Sequence, residues 1–342
     1  MQAAQTSAVA RQLGWLEARR DEVLSLSDLL GAGIDRLPLP GAGAGGTLAR
    51  WRILAAVAAH DLSLVKLFEG HTDALAIQAE LGVPPPPPDS RWGTWCAEPP
   101  DARLEIRHGD VPSQMRLTGT KAWCSGAASL THAIVSGWNE QGKPCLVAVA
   151  LSQPGVELTA EGWHAVGMAG SGSVDVRFDQ ALAAPVGTAG DYVRRPGFWH
   201  GGAGIAACWW GGASAIARTV RDLAGLKSDA HRLAHVGAID VALAASGALL
   251  RECAAWIDAH PIDDAQAIAL RARLAVEQTA GEVVGHAGRA LGAGPLCRNA
   301  RFAQAMADLP VFVRQSHAER DSAALGTGLL REPASLAWPW AL

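Results

Sequence analysis

The chain has 342 residues, enough to bury a large core and to form two or three domains. A formal net charge of -4 gives no electrostatic reason to expect nucleic acid or an anionic membrane as a partner. The cysteines at 96, 124, 145, 208, 253 and 297 include no C-x-x-C pair, which leaves reduced thiols in a cytoplasmic protein and no metal site as the expectation. The first residues lack a basic region followed by an apolar run, so no secretory signal is expected. No stretch of 18 apolar residues is free of charge and glycine, so no membrane span is expected either.

Between residues 7 and 30, Val9, Leu13 and Leu16, then Val23, Leu26 and Leu30, recur at helical spacing, which predicts two helices or one broken helix. Pro38, Pro40 and the glycine-rich residues 41–46 make a loop. Helical pattern resumes at Leu48, Trp51, Leu54, Ala55 and Ala58 and again over 61–81, with Asp61 and Thr72 or Asp73 as candidate caps. The prolines at 84–88 favour a stiff extended spacer and set the first domain boundary. From there to about 194 the chain reads as short strands, at 94–97, 104–107, 115–123, 132–138, 144–151 and 173–178, which suggests a small barrel or sandwich. Beyond Pro196 it is helical over 201–224, 229–259, 263–290 and 300 to about 324, the pattern of an antiparallel four-helix bundle. The expected class is therefore α+β and multidomain: a helical domain over 1–88, a β-barrel domain over 92–194 and a helical bundle over 196–342.

Three runs inside the β region stand out. Lys121-Ala122-Trp123-Cys124-Ser125 sets an aromatic and a hydroxyl two residues apart, hence on one face of a strand. Upstream is Trp95-Cys96-Ala97-Glu98-Pro99, and downstream Gly167-Met168-Ala169-Gly170-Ser171-Gly172-Ser173 leads into another alternating run. A buried Trp is ordinarily core, and a strand end followed by a turn is the plain reading of residues 95–99. Together these runs resemble the flavin-binding middle domain of the acyl-CoA dehydrogenase family, and the order of helices, strands and helices extends that resemblance over nearly the whole chain.

The resemblance implies FAD as cofactor. It places Cys96 and Ala97 at the flavin ring, with Ala97 where relatives carry a Thr. It packs Trp123 against the ring and gives the Ser125 hydroxyl a hydrogen bond to it. In the segment from Gly285 to Gly294, Arg289 takes the position of a Gln and Gly292 fits a turn that receives the pyrophosphate from a neighbouring subunit, so a homodimer or homotetramer is expected. This segment follows a helix, unlike a Rossmann fingerprint, and a plain helix-ending loop is the competing reading. The family's Arg-Phe-Gly element has no counterpart here: Gly225-Leu226-Lys227-Ser228-Asp229 stands there, followed by Arg232 and His235, which either replace its hydrogen bonds or sit on a solvated helix face.

The family removes an α-proton with a Glu while the flavin takes hydride. Counting from Arg298-Asn299-Ala300-Arg301, that position falls on Ala307, followed by Asp308, and the other position relatives use lies within residues 196–221, which hold no Asp or Glu. Asp308 is the nearest carboxylate, either as a displaced base or as a solvated surface group, with His317 and Glu319 further along. Pro100-Asp101-Ala102-Arg103 also departs from the small-residue segment that relatives place near the acyl-CoA. The expected function is a FAD-dependent oxidoreductase acting on an acyl-CoA or carrier-bound acyl substrate with an atypical or absent base. The alternatives are a flavin-dependent monooxygenase or oxidase of the same fold, which needs no such base, and a non-catalytic flavin-binding homologue.

Overall fold

The computed structural model describes residues 2–331 apart from 42, 44, 112 and 226–228. The chain opens with α1 (Gln2–Ala18) and α2 (Leu26–Gly31), two helices as the spacing allowed. Next come α3 (Gly46–His60) and α4 (Leu62–Glu80). Asp61 separates these last two: its backbone is extended, at φ -159°, and its carboxylate accepts from the Leu64 amide at 2.6 Å, a side-chain cap on α4. Thr72 and Asp73 cap nothing. They lie inside α4, where Thr72 Oγ1 donates to the Glu69 carbonyl at 3.1 Å and the helix continues unbroken.

Seven strands follow: β1 (Trp92–Trp95), β2 (Leu104–His108), β3 (Met115–Cys124), β4 (His132–Trp138), β5 (Pro144–Ala150), β6 (Val156–Leu158) and β7 (Val174–Val186). Strands β2, β3, β7, β5 and β4 pair in turn, and β4 returns to β2 at Trp138 and Glu105, so they close a small barrel. β1 runs parallel to β4 outside this ring, and β6 pairs with β7. The closed ring leaves few unpaired edges. β7 is more than twice as long as its sequence pattern suggested. Asp179-Gln180 reads as a turn, but Gln180 is a bulged residue at φ 54°, skipped in the pairing with β3, and the strand resumes at Ala181.

One buried ion pair helps hold the ring. The side chain of Lys121, on β3, is 1% exposed. Its Nζ donates to Glu98 Oε1 at 2.6 Å and to both the carbonyl and the hydroxyl of Ser136, on β4, at 2.9 Å. Ser136 Oγ donates to Glu98 as well, and Trp138 Nε1 donates to the second Glu98 oxygen at 3.0 Å. The three donors of the ammonium and both carboxylate oxygens are thereby satisfied, a condition for tolerating a charge at that depth.

The remainder is helical: α5 (Asp191–Arg194), α6 (Gly197–Ala224), α7 (Ala230–Ala259), α8 (Gln266–Leu291), α9 (Ala293–Arg298), α10 (Ala300–Phe312) and α11 (Glu319–Arg331). α6, α7 and α8 pack on one another, and α3 lies along α6. The helix expected over 300–324 is in fact two. α10 carries Pro310, Ser316 is extended and Ala318 sits at φ 43°, so the chain turns before α11. Close helix contact depends on glycine: a Cβ on Gly211 of α6 would collide with the Ala55 carbonyl oxygen of α3. α7 is long and apolar enough to cross a membrane by length and composition. It differs from the run of 18 apolar residues sought in the sequence in carrying Asp240, Gly237 and Gly247.

Replacing Lys121 by Met should cost about 3 kcal/mol, the lower end for breaking a buried pair because Glu98 keeps some access to water. Urea unfolding measures it as a lowered midpoint at unchanged slope; an unchanged midpoint would show that the pair contributes nothing.

Candidate functional site

The ends of β1 and β3 meet the loop at 167–173. Trp95 is buried, and its indole N–H donates to the Ser125 carbonyl at 3.1 Å. Cys96 is half-buried, and burial pushes its thiol up to about 11 against the pull of Lys121. This thiol is a poor nucleophile at neutral pH. Ala97, next to it, is likewise half-buried.

Trp123 and Ser125 do not share a strand face. The pairing of β3 with β7 shifts between Lys121 and Cys124, Trp123 takes a left-handed backbone at φ 58°, and the strand ends at Cys124. A non-glycine residue in that region marks a functional position more often than an ordinary one. The result is an indole 49% exposed, with no aromatic ring or cation stacked on it among the described residues. Ser125 turns inward instead. Its Oγ lies 2.9 Å from Ser173 Oγ, which lies 2.8 Å from Ser171 Oγ, and Ser171 donates to the Met168 carbonyl at 2.7 Å. The Gly126 amide donates to the Ser171 carbonyl at 2.8 Å, so the turn after β3 and the loop are fastened together.

Asp308 fastens the same loop from the other side. It is 1% exposed, not a surface carboxylate, and its Oδ1 accepts from the Met168 amide at 2.5 Å and from Gln304 Nε2 at 2.6 Å. Met168 is itself left-handed, at φ 60°, and a Cβ on Gly167 would collide with the Ala307 carbonyl oxygen. Burial raises the Asp308 pKa, the Met168 and Gln304 hydrogen bonds work against that, and the charge of Asp61 adds to it. Ala307, where the resemblance expects the base, contributes only a methyl group. His317 and Glu319 lie beyond the break before α11, with His317 3.6 Å from Asp321.

A second group forms where α7 begins and α8 ends. Asp229 caps α7 by accepting from the His231 and Arg232 amides at 3.0 Å. Arg232 Nε donates to the Ala290 carbonyl at 2.9 Å, and His235 Nδ1 lies 2.9 Å from Nδ1 of His286. Arg289 Nε reaches the Gly285 carbonyl at 3.2 Å. Gly292 has φ 65° and ψ -161°, a conformation that favours glycine, and a Cβ there would meet nothing. Arg232, His235 and Arg289 thus belong to the same junction of α7 and α8, with His286 a further member that the sequence gave no reason to single out. Residues 226–228, within the stretch that replaces the family's Arg-Phe-Gly element, lie outside the described residues. No hydrogen bond joins this group to Trp123 or Ser125 among the described residues.

The sequence reading also missed a charged face on α4. Lys66 pairs with Glu69 at 3.0 Å, and Arg195 pairs with Glu80 at 2.7 Å while lying near Asp73. The available signal was spacing: 66, 69 and 73 share one side of an otherwise apolar helix.

No protein-family model and no curated protein sequence matches the chain. Solved structures do match in fold. KijD3, solved with FMN and dTDP-3-amino-2,3,6-trideoxy-4-keto-3-methyl-D-glucose, aligns at a TM-score of 0.76 and 20% identity over 96% of this chain and 93% of its own. The dibenzothiophene monooxygenase TdsC from Paenibacillus sp. A11-2, also solved with FMN bound, aligns at 0.76 and 17% over 97% of each chain. The methanesulfinate monooxygenase MsuC from Pseudomonas fluorescens aligns at 0.75 and 17% over 97% of each. This chain therefore shares the fold of these proteins.

Asp308→Ala should cost about 1–3 kcal/mol by leaving the buried Met168 amide without an acceptor. Asp308→Asn, which keeps an acceptor, should cost less. Because the folded carboxyl has a pKa above its ordinary 3.8, the wild type loses stability as pH rises from 3.8 to that folded value and holds the deficit above it. Asp308→Asn should abolish that slope in pH-dependent urea unfolding; a slope that survives would place the titration elsewhere.

Proposed function

We propose that the chain is a flavin-dependent oxidoreductase of the oxygen-using type, with FMN as its preferred cofactor. One observation carries the choice of oxygenase over dehydrogenase. The base position holds Ala307, and the adjacent carboxylate, Asp308, is buried and hydrogen-bonded to the Met168 amide of the loop and to Gln304 of its own helix. Proton abstraction from carbon needs a carboxylate free to face the substrate. Oxygen insertion does not, and two of the fold relatives are named as monooxygenases.

The residues fit a flavin. Trp123 offers an unshared indole face of the size that stacks on a planar ring. The Ser125 hydroxyl remains able to take a second partner, and Cys96 and Ala97, which follow β1, would offer their backbone as ring contacts. Arg232, Arg289 and the Gly292 turn form a basic end suited to a phosphate, which FMN and FAD share. When bound, a flavin supplies redox chemistry that no side chain of this protein offers. The chain's own part is to hold the ring against Trp123, to fix the 167–173 loop through Asp308 and the serine chain, and to keep its buried thiols protonated.

FMN is preferred to FAD because KijD3 and TdsC were solved with FMN. An acyl-CoA substrate has no support beyond the resemblance. A second copy of the chain is the proposed partner. Along α7, Leu233, Gly237, Val241, Ala244 and Ala248 are exposed on one side, an apolar stripe of small and medium residues that a copy of the same helix would cover.

FMN should bind the purified protein in a fluorescence titration, and Trp123→Ala should weaken it by roughly tenfold, the scale of one lost aromatic stack. A chain that takes up neither FMN nor FAD would overturn the proposal, while anaerobic bleaching by butyryl-CoA would restore the dehydrogenase reading. Light scattering should give a dimer or a multiple of it, reduced to monomer by Val241→Lys. A monomeric wild type would remove the second copy.

A further inference from the structure

Trp123 owes its exposure to a bulge. Where β3 pairs with β7, Lys121 stands opposite Val176 and Cys124 opposite Val174, so Ala122 and Trp123 together oppose the single residue Asp175. A regular strand would put Trp123 on the face of Lys121, whose side chain is buried. With the extra residue it is Cys124 that is buried, and the indole is left outside. The arrangement requires a left-handed backbone at a bulky residue, φ 58°, which persists only where neighbours hold it.

Asp175 is such a neighbour. Its Oδ1 accepts from the Trp123 amide at 3.4 Å, a long bond strengthened by the charge of its acceptor. The main chain of Asp175 is fixed separately. Its amide donates to the Glu161 carbonyl at 2.9 Å, and its carbonyl accepts from the Thr159 amide at 3.1 Å and from the Thr159 hydroxyl at 2.7 Å. Those bonds anchor the segment after β6 and do not need the carboxylate. The segment also leaves just enough room for it: Gly162, at φ 99°, passes so close that a Cβ there would collide with Asp175 Oδ1. The carboxylate is thereby held between Gly162 and the bulge.

We propose that Asp175 is a positioning residue: through the Trp123 amide it fixes the bulge that turns the indole outward as a plate for a planar ring. Its action runs through Trp123 alone. That the plate carries a flavin rests on the reading above; that Asp175 sets the plate does not.

The test is FMN titration of the full chain, of Asp175→Ala, of Trp123→Ala and of the double variant, read by quenching of the flavin fluorescence. Asp175→Ala should weaken FMN about as much as Trp123→Ala, roughly tenfold. The double variant should bind no more weakly than Trp123→Ala, since a residue that acts through Trp123 then has nothing to act on. At saturation the FMN bound to Asp175→Ala should be more fluorescent than in wild type, because a stacked indole quenches it. Asp175→Asn, which keeps an acceptor, should fall between wild type and Asp175→Ala. Asp175→Glu, one methylene too long for the gap at Gly162, should show the loss as well, and it carries the test if Asp175→Ala fails to fold. Binding unchanged in Asp175→Ala, losses that add in the double variant, or an Asp175→Asn chain as weak as Asp175→Ala overturns the proposal. A wild type that takes no flavin overturns the flavin reading alone. The plate is then read by iodide quenching of the Trp123 emission, obtained by subtracting the Trp123→Phe chain: quenching diminished by Asp175→Ala supports the positioning role, and quenching unchanged overturns it.

Discussion

The contact between Lys121 and Glu98 fixes where the ends of two strands lie. Glu98 belongs to the chain leaving β1, Lys121 to β3 and Ser136 to β4, so one ammonium joins three segments that are distant in sequence. Taking both charges out of water is costly, and only full hydrogen bonding offsets it. What the arrangement secures is geometry. Two residues beyond Lys121 the pairing with β7 slips and Trp123 turns outward, while one residue before Glu98 the chain passes Ala97. The aromatic face and the strand end proposed to hold a ring are therefore positioned from one buried point, with little freedom to drift apart.

The loop at 167–173 has the opposite problem, since glycines and a left-handed Met168 leave it a single short turn at Ala169–Ser171 as structure of its own. It is ordered from outside. Asp308 holds the Met168 amide from α10, the serines at 171 and 173 tie it to Ser125, and Gly170 sits against the Ser63 hydroxyl of α4. A carboxylate used in this way is not free to take a proton from carbon. The alanine at 307 and the engagement of the aspartate at 308 are thus consistent with each other: in this chain helix α10 acts as a clamp on the loop.

Where periodicity was strong, the sequence was a good guide. Strand β4 and the ends of α6 and α7 near Ala224 and Ala259 stand where spacing put them. The errors have local causes. The strand reads as ending at 178 because Asp179 is a turn-forming residue, although the chain only bulges at Gln180, and the helix after Asn299 looks continuous because Pro310 is tolerated within α10 while the real break falls six residues later. Alternation put Trp123 and Ser125 on one face, but alternation assumes extended dihedrals and Trp123 has left them. Asp308 reads either as a displaced base or as a surface group, because spacing gives a helix but no partner; nothing local announces a hydrogen bond to residue 168. Long-range partners of this kind are invisible to spacing.

α4 is where these parts meet. Through Ser63, Leu67 and Gly70 it lies against the loop, the turn at Gly126 and β1, with Thr94 Oγ1 donating to the Gly70 carbonyl at 2.8 Å. Through Lys66, Glu69 and Asp73 it meets α3 and the glycine-rich start of α6. A helix with an apolar second face would have closed that side by packing, as Leu62 does against Gly212 one turn earlier. Charged residues cannot close in the same way, because each must keep a partner, and the pairs Lys66–Glu69 and Arg195–Glu80 leave Asp73 without one. The charge pattern on a single helix face therefore leaves a carboxylate without a partner among the described residues, on the side of α4 where an apolar residue would have packed.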